Sequence, residues 1–198
     1  MKNINLLIAG VGGQGVILAS DLIGEAAMAA GYDVKKTDTI GMAQRGGSVV
    51  SHVRFAPKVW SPIIKDGEVN IILAFEKLEA ARWSSYLRPG GIVIINNQSL
   101  PPLSVALGKE HYPSDEEITG ILKRYTDRIH FIDGIERARE LGNVKSLNVF
   151  MLGCASIFIP LDVRFWQDAI NEHLPAKIRQ INIVAFEKGR KELRNVHI

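Results

Sequence analysis

An apolar run, Ile4–Ala9, leads straight into Gly10-Val11-Gly12-Gly13-Gln14-Gly15, and an uninterrupted stretch of helix-forming residues follows. No other part of the chain constrains the fold as strongly. Strand, glycine turn and helix in that order are the context in which a G-x-G-x-x-G spacing acquires meaning. In such a turn the first glycine lets the chain leave the strand sharply, and the second lets backbone approach a ligand. The third lets helix and strand pack closely, with free N–H groups at the helix start facing an anion. Gly13 adds a fourth permissive position. The pattern fits a phosphate- or anion-binding loop; the alternative is a tight glycine-rich βα turn that binds nothing. By itself it does not name a dinucleotide.

The rest of the chain continues the α/β alternation. Val16–Ala30 reads as a helix apolar on nearly all sides and closed by Gly31. Tyr32–Thr37 reads as a second strand ending at Asp38. Asp38 lies about 23 residues beyond Gly15, where an acidic residue would grip a ribose hydroxyl; it also suits the opening of the next loop. Val49–Phe55 alternates like a strand, and Val69–Phe75 is a continuous apolar run suited to a central parallel strand. Glu76–Leu87 reads as a helix stopped by Pro89-Gly90-Gly91, and Ile92–Ile95 as the next strand. Ser114 and Glu117 form a capping box for a helix to about Thr126. A short strand Ile129–Ile132 precedes helices over Ile135–Leu141, Leu147–Ile159, Arg164–His173 and Ile181 to about Val196. The expected architecture is a Rossmann-like, mostly parallel sheet flanked by helices with a helical C-terminal part, built as a single domain over residues 1–198.

Composition narrows the function. With 24 basic and 21 acidic residues the net charge of +3 is too small to imply nucleic acid, and no basic run is interleaved with aromatics. The longest apolar stretch, Leu147–Ile159, contains Asn148, Gly153 and Ser156 and is too short to span a bilayer, so no membrane association and a cytoplasmic location are expected. Cys154 is the only cysteine, which excludes a disulfide framework, a redox pair and an iron–sulfur cluster held by this chain. None of His52, His111, His130, His173 and His197 stands at ligand spacing with another, so no metal site is expected. Lys65-Asp66-Gly67 followed downstream by Asn96-Asn97 approaches the Gly-Asp-Gly and Asn-Asn spacing of thiamine-diphosphate enzymes, but it reads as a turn and a strand end.

One loop stands out: Gln44-Arg45-Gly46-Gly47-Ser48. Glycines admit backbone donors to a ligand, and a guanidinium grips carboxylate or phosphate with two parallel bonds. The alternative is a hairpin-type turn with a solvated arginine.

Gly12-Gly13-Gln14-Gly15-Val16 together with Gln44-Arg45-Gly46-Gly47-Ser48 and a strand ending in Arg54 resembles the gamma subunits, or gamma domains, of the 2-oxoacid:ferredoxin oxidoreductases. The likeness extends through Asn148–Gly153 to Asn182, Ala185, Phe186 and Gly189, so it covers nearly the whole chain. A free-standing chain of this length is most similar to the beta subunits of the indolepyruvate:ferredoxin oxidoreductases. The resemblance implies a hetero-oligomeric oxidoreductase. A 2-oxoacid, here an aryl pyruvate, loses CO₂ on thiamine diphosphate, two electrons pass through iron–sulfur clusters to ferredoxin, and the acyl group goes to coenzyme A. Thiamine diphosphate and clusters are implied for a larger alpha subunit, with the isolated small chain inactive. The expected role of this chain is to complete the active-site wall and an anion site for coenzyme A or the substrate carboxylate. Gly10, Gly12, Gly13, Gln14 and Gly15 with Gln44, Arg45, Gly46, Gly47 and Ser48 are the expected contacts. The same segments would serve equally to dock the partner. An independent NAD-binding oxidoreductase and a nucleotide-binding scaffold module remain the rival classes.

Overall fold

The computed structural model describes residues 2–40 and 47–194. One six-stranded mixed sheet runs through it, formed by β1 (Ile4–Val11), β2 (Asp33–Ile40), β3 (Ser48–Ala56), β4 (Val69–Ala74), β5 (Leu87–Asn96) and β6 (Ile129–Ile132) in the order β2-β3-β1-β4-β5-β6. β1, β4, β5 and β6 are mutually parallel, while β3 lies antiparallel between β1 and β2.

The central strands are apolar on both faces because both faces are covered. Leu6 and Ile8 of β1 point into one core with Ile71 and Leu73 of β4, under helices α1 (Val16–Ala29), α6 (Leu147–Ser156), α7 (Val163–His173) and α8 (Ala176–Arg194). Leu7 and Ala9 point the other way, with Ile72, Ala74, Val93 and Ile95, under α2 (Lys77–Arg82) and α4 (Asp115–Lys123). α6 is buried at every position, which explains why it shows no amphipathic stripe. α3 (Leu103–Ala106) and α5 (Gly134–Glu140) complete the eight α-helices of the described residues.

The local signals are realised as chemistry. α1 ends in a Schellman motif: Gly31, at φ 85°, donates to Met28, and Tyr32 donates to Ala27. Ser114 and Glu117 exchange both bonds of the capping box, although α4 stops at Lys123 rather than near Thr126.

Three expectations are corrected. The helix expected over Glu76–Leu87 is only Lys77–Arg82, followed by a 3₁₀ turn, Ser84–Tyr86, and Leu87 already belongs to β5. Pro89-Gly90-Gly91 therefore lies inside a strand, where the pairing shifts register between Val69 and Ile71; an irregularity of this kind is where a proline and a left-handed glycine are tolerated. β2 runs on to Ile40 and includes Asp38, because it pairs with β3 along its whole length.

Candidate anion-binding end of the sheet

β1 ends at Val11, and residues Gly12–Gly15 turn the chain into α1. The turn closes with Gln14 N donating to Val11 O at 3.0 Å, and it places Gly13 and Gly15 at φ 100° and 81°. The first turn of α1 has no side-chain cap and no acidic residue. Its unpaired N–H groups and the positive end of the helix dipole therefore meet whatever lies outside the sheet.

Gln14 braces this turn. Its Oε1 accepts from Val11 N at 2.7 Å, while Nε2 donates to Phe75 O at 3.0 Å and to Gln98 Oε1 at 3.1 Å. Asn96 Nδ2 donates to the same Phe75 carbonyl at 3.1 Å. The carboxyl ends of β1, β4 and β5 are thus tied by side-chain amides. Gly10 makes this possible, since a Cβ there would stand 2.9 Å from both Gln14 Oε1 and Val16 Cγ2. Gly10 is still strand, and its contribution is close packing rather than the sharp turn expected of it.

The described end of the second motif, Gly47-Ser48, is brought to the same place. Strand register sets Val11 opposite Ser48, and the Gly12 amide donates to the Gly47 carbonyl at 2.9 Å. Ser48 Oγ donates to Glu79 Oε2 at 2.5 Å, and Glu79, only 4% exposed, also holds Arg82 Nε at 3.2 Å. Gln44, Arg45 and Gly46 lie outside the described residues. Of the expected contacts, Gly10, Gly12, Gly13, Gln14 and Gly15 therefore meet Gly47 and Ser48 at one end of the sheet. Two of the expected donors are already committed inside the chain, the N–H of Gly12 to Gly47 and both amide protons of Gln14 to Phe75 and Gln98.

Two depressions flank the glycine turn. One, of about 350 Å³, is lined by Val11, Gly12, Gly13, Val16, Ile17 and Val49. The other, of about 460 Å³, lies between Gly13–Gly15 and Gln98, Leu100, Ile135, Lys145 and Asn148. Lys145 supplies its positive charge. Asn148 packs so close that a Cβ on Gly15 would lie 2.4 Å from its Nδ2. A Lys–amide crevice at the mouth of an uncapped helix is suited to holding an anionic group; among the described residues it contains no carboxylate, thiol or imidazole for covalent or acid–base work.

Glu79, Gln98 and Lys145 carry no sequence signal, since each reaches the site through tertiary packing. Asn148 had a faint one, as a polar residue inside an apolar run.

Asp38 is not placed to grip a ribose at the glycine turn. β3 separates β2 from β1, and the Asp38 carboxylate accepts from Ser51 Oγ at 2.6 Å and pairs with Lys36 at 3.1 Å. Nor does it open a loop. Among the described residues no group of three or more His, Cys, Asp or Glu side chains is disposed to hold a metal ion, and no helix is long and apolar enough to cross a membrane.

The family model described as pyruvate ferredoxin/flavodoxin oxidoreductase matches residues 5–192. The chain belongs to this family. The indolepyruvate oxidoreductase subunit IorB of Pyrococcus horikoshii is 37% identical over 199 residues, spanning 99% of this chain and 98% of that protein. The keto/oxoacid ferredoxin oxidoreductase gamma subunit of Geobacter sulfurreducens superposes with a TM-score of 0.69 at 19% identity, over 94% of this chain and 95% of that one. A 2-oxoglutarate:ferredoxin oxidoreductase of Magnetococcus marinus, solved with 2-oxoglutarate, coenzyme A and succinyl-CoA bound, superposes with a TM-score of 0.72 at 19% identity, over 96% of this chain and 31% of that longer one. Family members of this type are subunits of oxidoreductase complexes, and this chain has the gamma-subunit fold.

Proposed function

We propose that this chain is the small subunit of an indolepyruvate:ferredoxin oxidoreductase and that its glycine-turn end forms part of the coenzyme A or substrate-carboxylate site. The observation that carries the reading is the Gly12–Gly47 hydrogen bond, which ties the glycine turn to Gly47, two positions after Arg45 in the sequence. The relative from Pyrococcus horikoshii, aligned over almost the full length of both proteins, supports indolepyruvate as the substrate class. The neighbour solved with coenzyme A and succinyl-CoA supports an acyl carrier as the anion.

Thiamine diphosphate and iron–sulfur clusters, held by the larger partner, supply decarboxylation and electron transfer to ferredoxin. This chain's residues bind and orient. The Gly13 backbone and the start of α1 offer N–H donors, Lys145 and Arg45 offer positive charge, and Gln14 and Gln98 hold the turn rigid. Ile17, exposed in the first turn of α1, favours a second reading in which the same end docks the partner.

The test uses the assembled complex. Arg45→Ala and Lys145→Ala each remove a charge-assisted contact of about 1.5–3 kcal/mol. Each should raise the KM for coenzyme A or the 2-oxoacid by roughly 10- to 150-fold while subunit assembly on size exclusion is preserved. Lost assembly would establish the docking reading; unchanged KM values with intact assembly would remove both roles.

A further inference from the structure

The amino-terminal end of the parallel strands carries a separate cavity of about 710 Å³. It forms where β1, β4 and β5 begin, and Arg128, just ahead of β6, and Phe158, just beyond α6, help to line it. The register shift of β4 against β5 and the left-handed Gly90 lie at this edge.

Its lining is electrostatically one-sided. Lys2, Arg88 and Arg128 contribute three positive charges, Asn3 and Asn70 contribute amides, and none of the lining residues is acidic. Among the described residues none of the three cations forms an ion pair, although nine pairs form elsewhere on the molecule. Arg128 is held in place without being neutralised: Nη1 donates to Gly90 O at 3.1 Å, and the guanidinium lies 5.9 Å from the Phe158 ring centroid. Asn70 Oδ1 is engaged by Asn5 N at 2.8 Å, which leaves its Nδ2 as a donor. Three like charges around one hollow repel each other, and a bound anion relieves that repulsion. Guanidinium groups match phosphate oxygens in geometry.

We infer that this cavity binds a phosphorylated organic molecule of nucleotide size carrying at least two negative charges. The volume falls within the range of small-molecule sites, roughly 300–1,000 Å³. Ile4, Ile71 and Ile92 add apolar wall that a bare inorganic ion would not use. The site is independent of the glycine turn, which lies at the opposite end of the same strands.

Isothermal titration of the full chain, and of the complex it co-purifies in, with ADP and with inorganic pyrophosphate tests this. Saturable ADP binding is expected, with pyrophosphate weaker. Arg128→Gln and, separately, the double variant Lys2→Gln/Arg88→Gln should each weaken ADP by about tenfold or more. Among the described residues the Lys2 and Arg88 side chains make no hydrogen bond, so the double variant keeps the test open if Arg128→Gln disturbs folding. Lys145→Ala, which removes the positive charge beside the glycine turn, should leave ADP binding unchanged. Absence of saturable binding, equal affinity in the arginine variants, or loss of binding in Lys145→Ala would overturn the proposal. Pyrophosphate binding as tightly as ADP would reduce the site to one for inorganic phosphates and overturn it too. Binding by the free chain that vanishes in the complex would show that a partner surface, rather than a small molecule, occupies the cavity.

Discussion

Gly153 of α6 and Gly189 of α8 are reciprocal contacts: a Cβ on Gly153 would lie 2.2 Å from the Phe186 carbonyl oxygen, and one on Gly189 would lie 2.0 Å from the Phe150 carbonyl oxygen. The two helices touch backbone to backbone. Neither carbonyl can move aside without breaking its own helix. Gly153→Ala and Gly189→Ala should each destabilise the protein by about 1–3 kcal/mol in chemical denaturation. Gly120→Ala on α4, where a Cβ would meet nothing within 4 Å, should be neutral or stabilising by up to about 1 kcal/mol.

The Ser48–Glu79 bond anchors the start of β3. Ser48→Ala leaves a buried carboxylate oxygen without that donor and should cost about 1.5–3 kcal/mol. Hydrogen exchange should speed up at the Gly12 and Val49 amides, and Ser48→Thr should restore protection. Unchanged exchange in Ser48→Ala would show that strand pairing alone holds the segment.

His52 sets a pH dependence of stability. Burial, and secondarily the Arg54 charge, lower its pKa below the ordinary 6.5. Its Nδ1 accepts from Ile64 N at 3.3 Å, and its ring packs edge-on against Trp83 and Tyr86. The folded protein therefore holds His52 neutral while the unfolded chain protonates it. Below pH 6.5 the unfolded state binds more protons, so this contribution is full above that value and is lost as pH falls toward the lowered folded-state pKa. Denaturation midpoints measured between pH 7 and 5 should fall, and His52→Gln should flatten the slope.

Cys154 lies fully buried in α6, where burial, and then the Glu192 charge, push its thiol up. It should resist thiol reagents in the native protein and react only after unfolding, at the rate of global opening. Prompt labelling without loss of structure would contradict the burial.

What could be read in advance was local. The path from Ile4 to Gly31 is legible because its strand, turn, helix and cap each arise from neighbours in sequence. The capping box at Ser114 is legible for the same reason. Strand order was not, because the place of β3 between β1 and β2 depends on pairings with no sequence marker, and this order is what removes Asp38 from the glycine turn. Pro89 and Gly90 misled because breakers mark irregular strands as readily as helix ends. At the candidate site, the glycines and Ser48 were visible as motifs. Glu79, Gln98 and Lys145, which hold or charge it, come from three distant segments brought together only by folding.

The reversed direction of β3 has a further consequence for how such a subunit can diversify. A strand returning beside β1 starts, at Ser48, level with Val11, where β1 leaves the sheet, and there it also meets the end of β2 at Ile40. Any peptide joining the end of β2 to the start of β3 must begin and finish at that rim, so exchanges in its sequence leave the two packed layers beneath untouched.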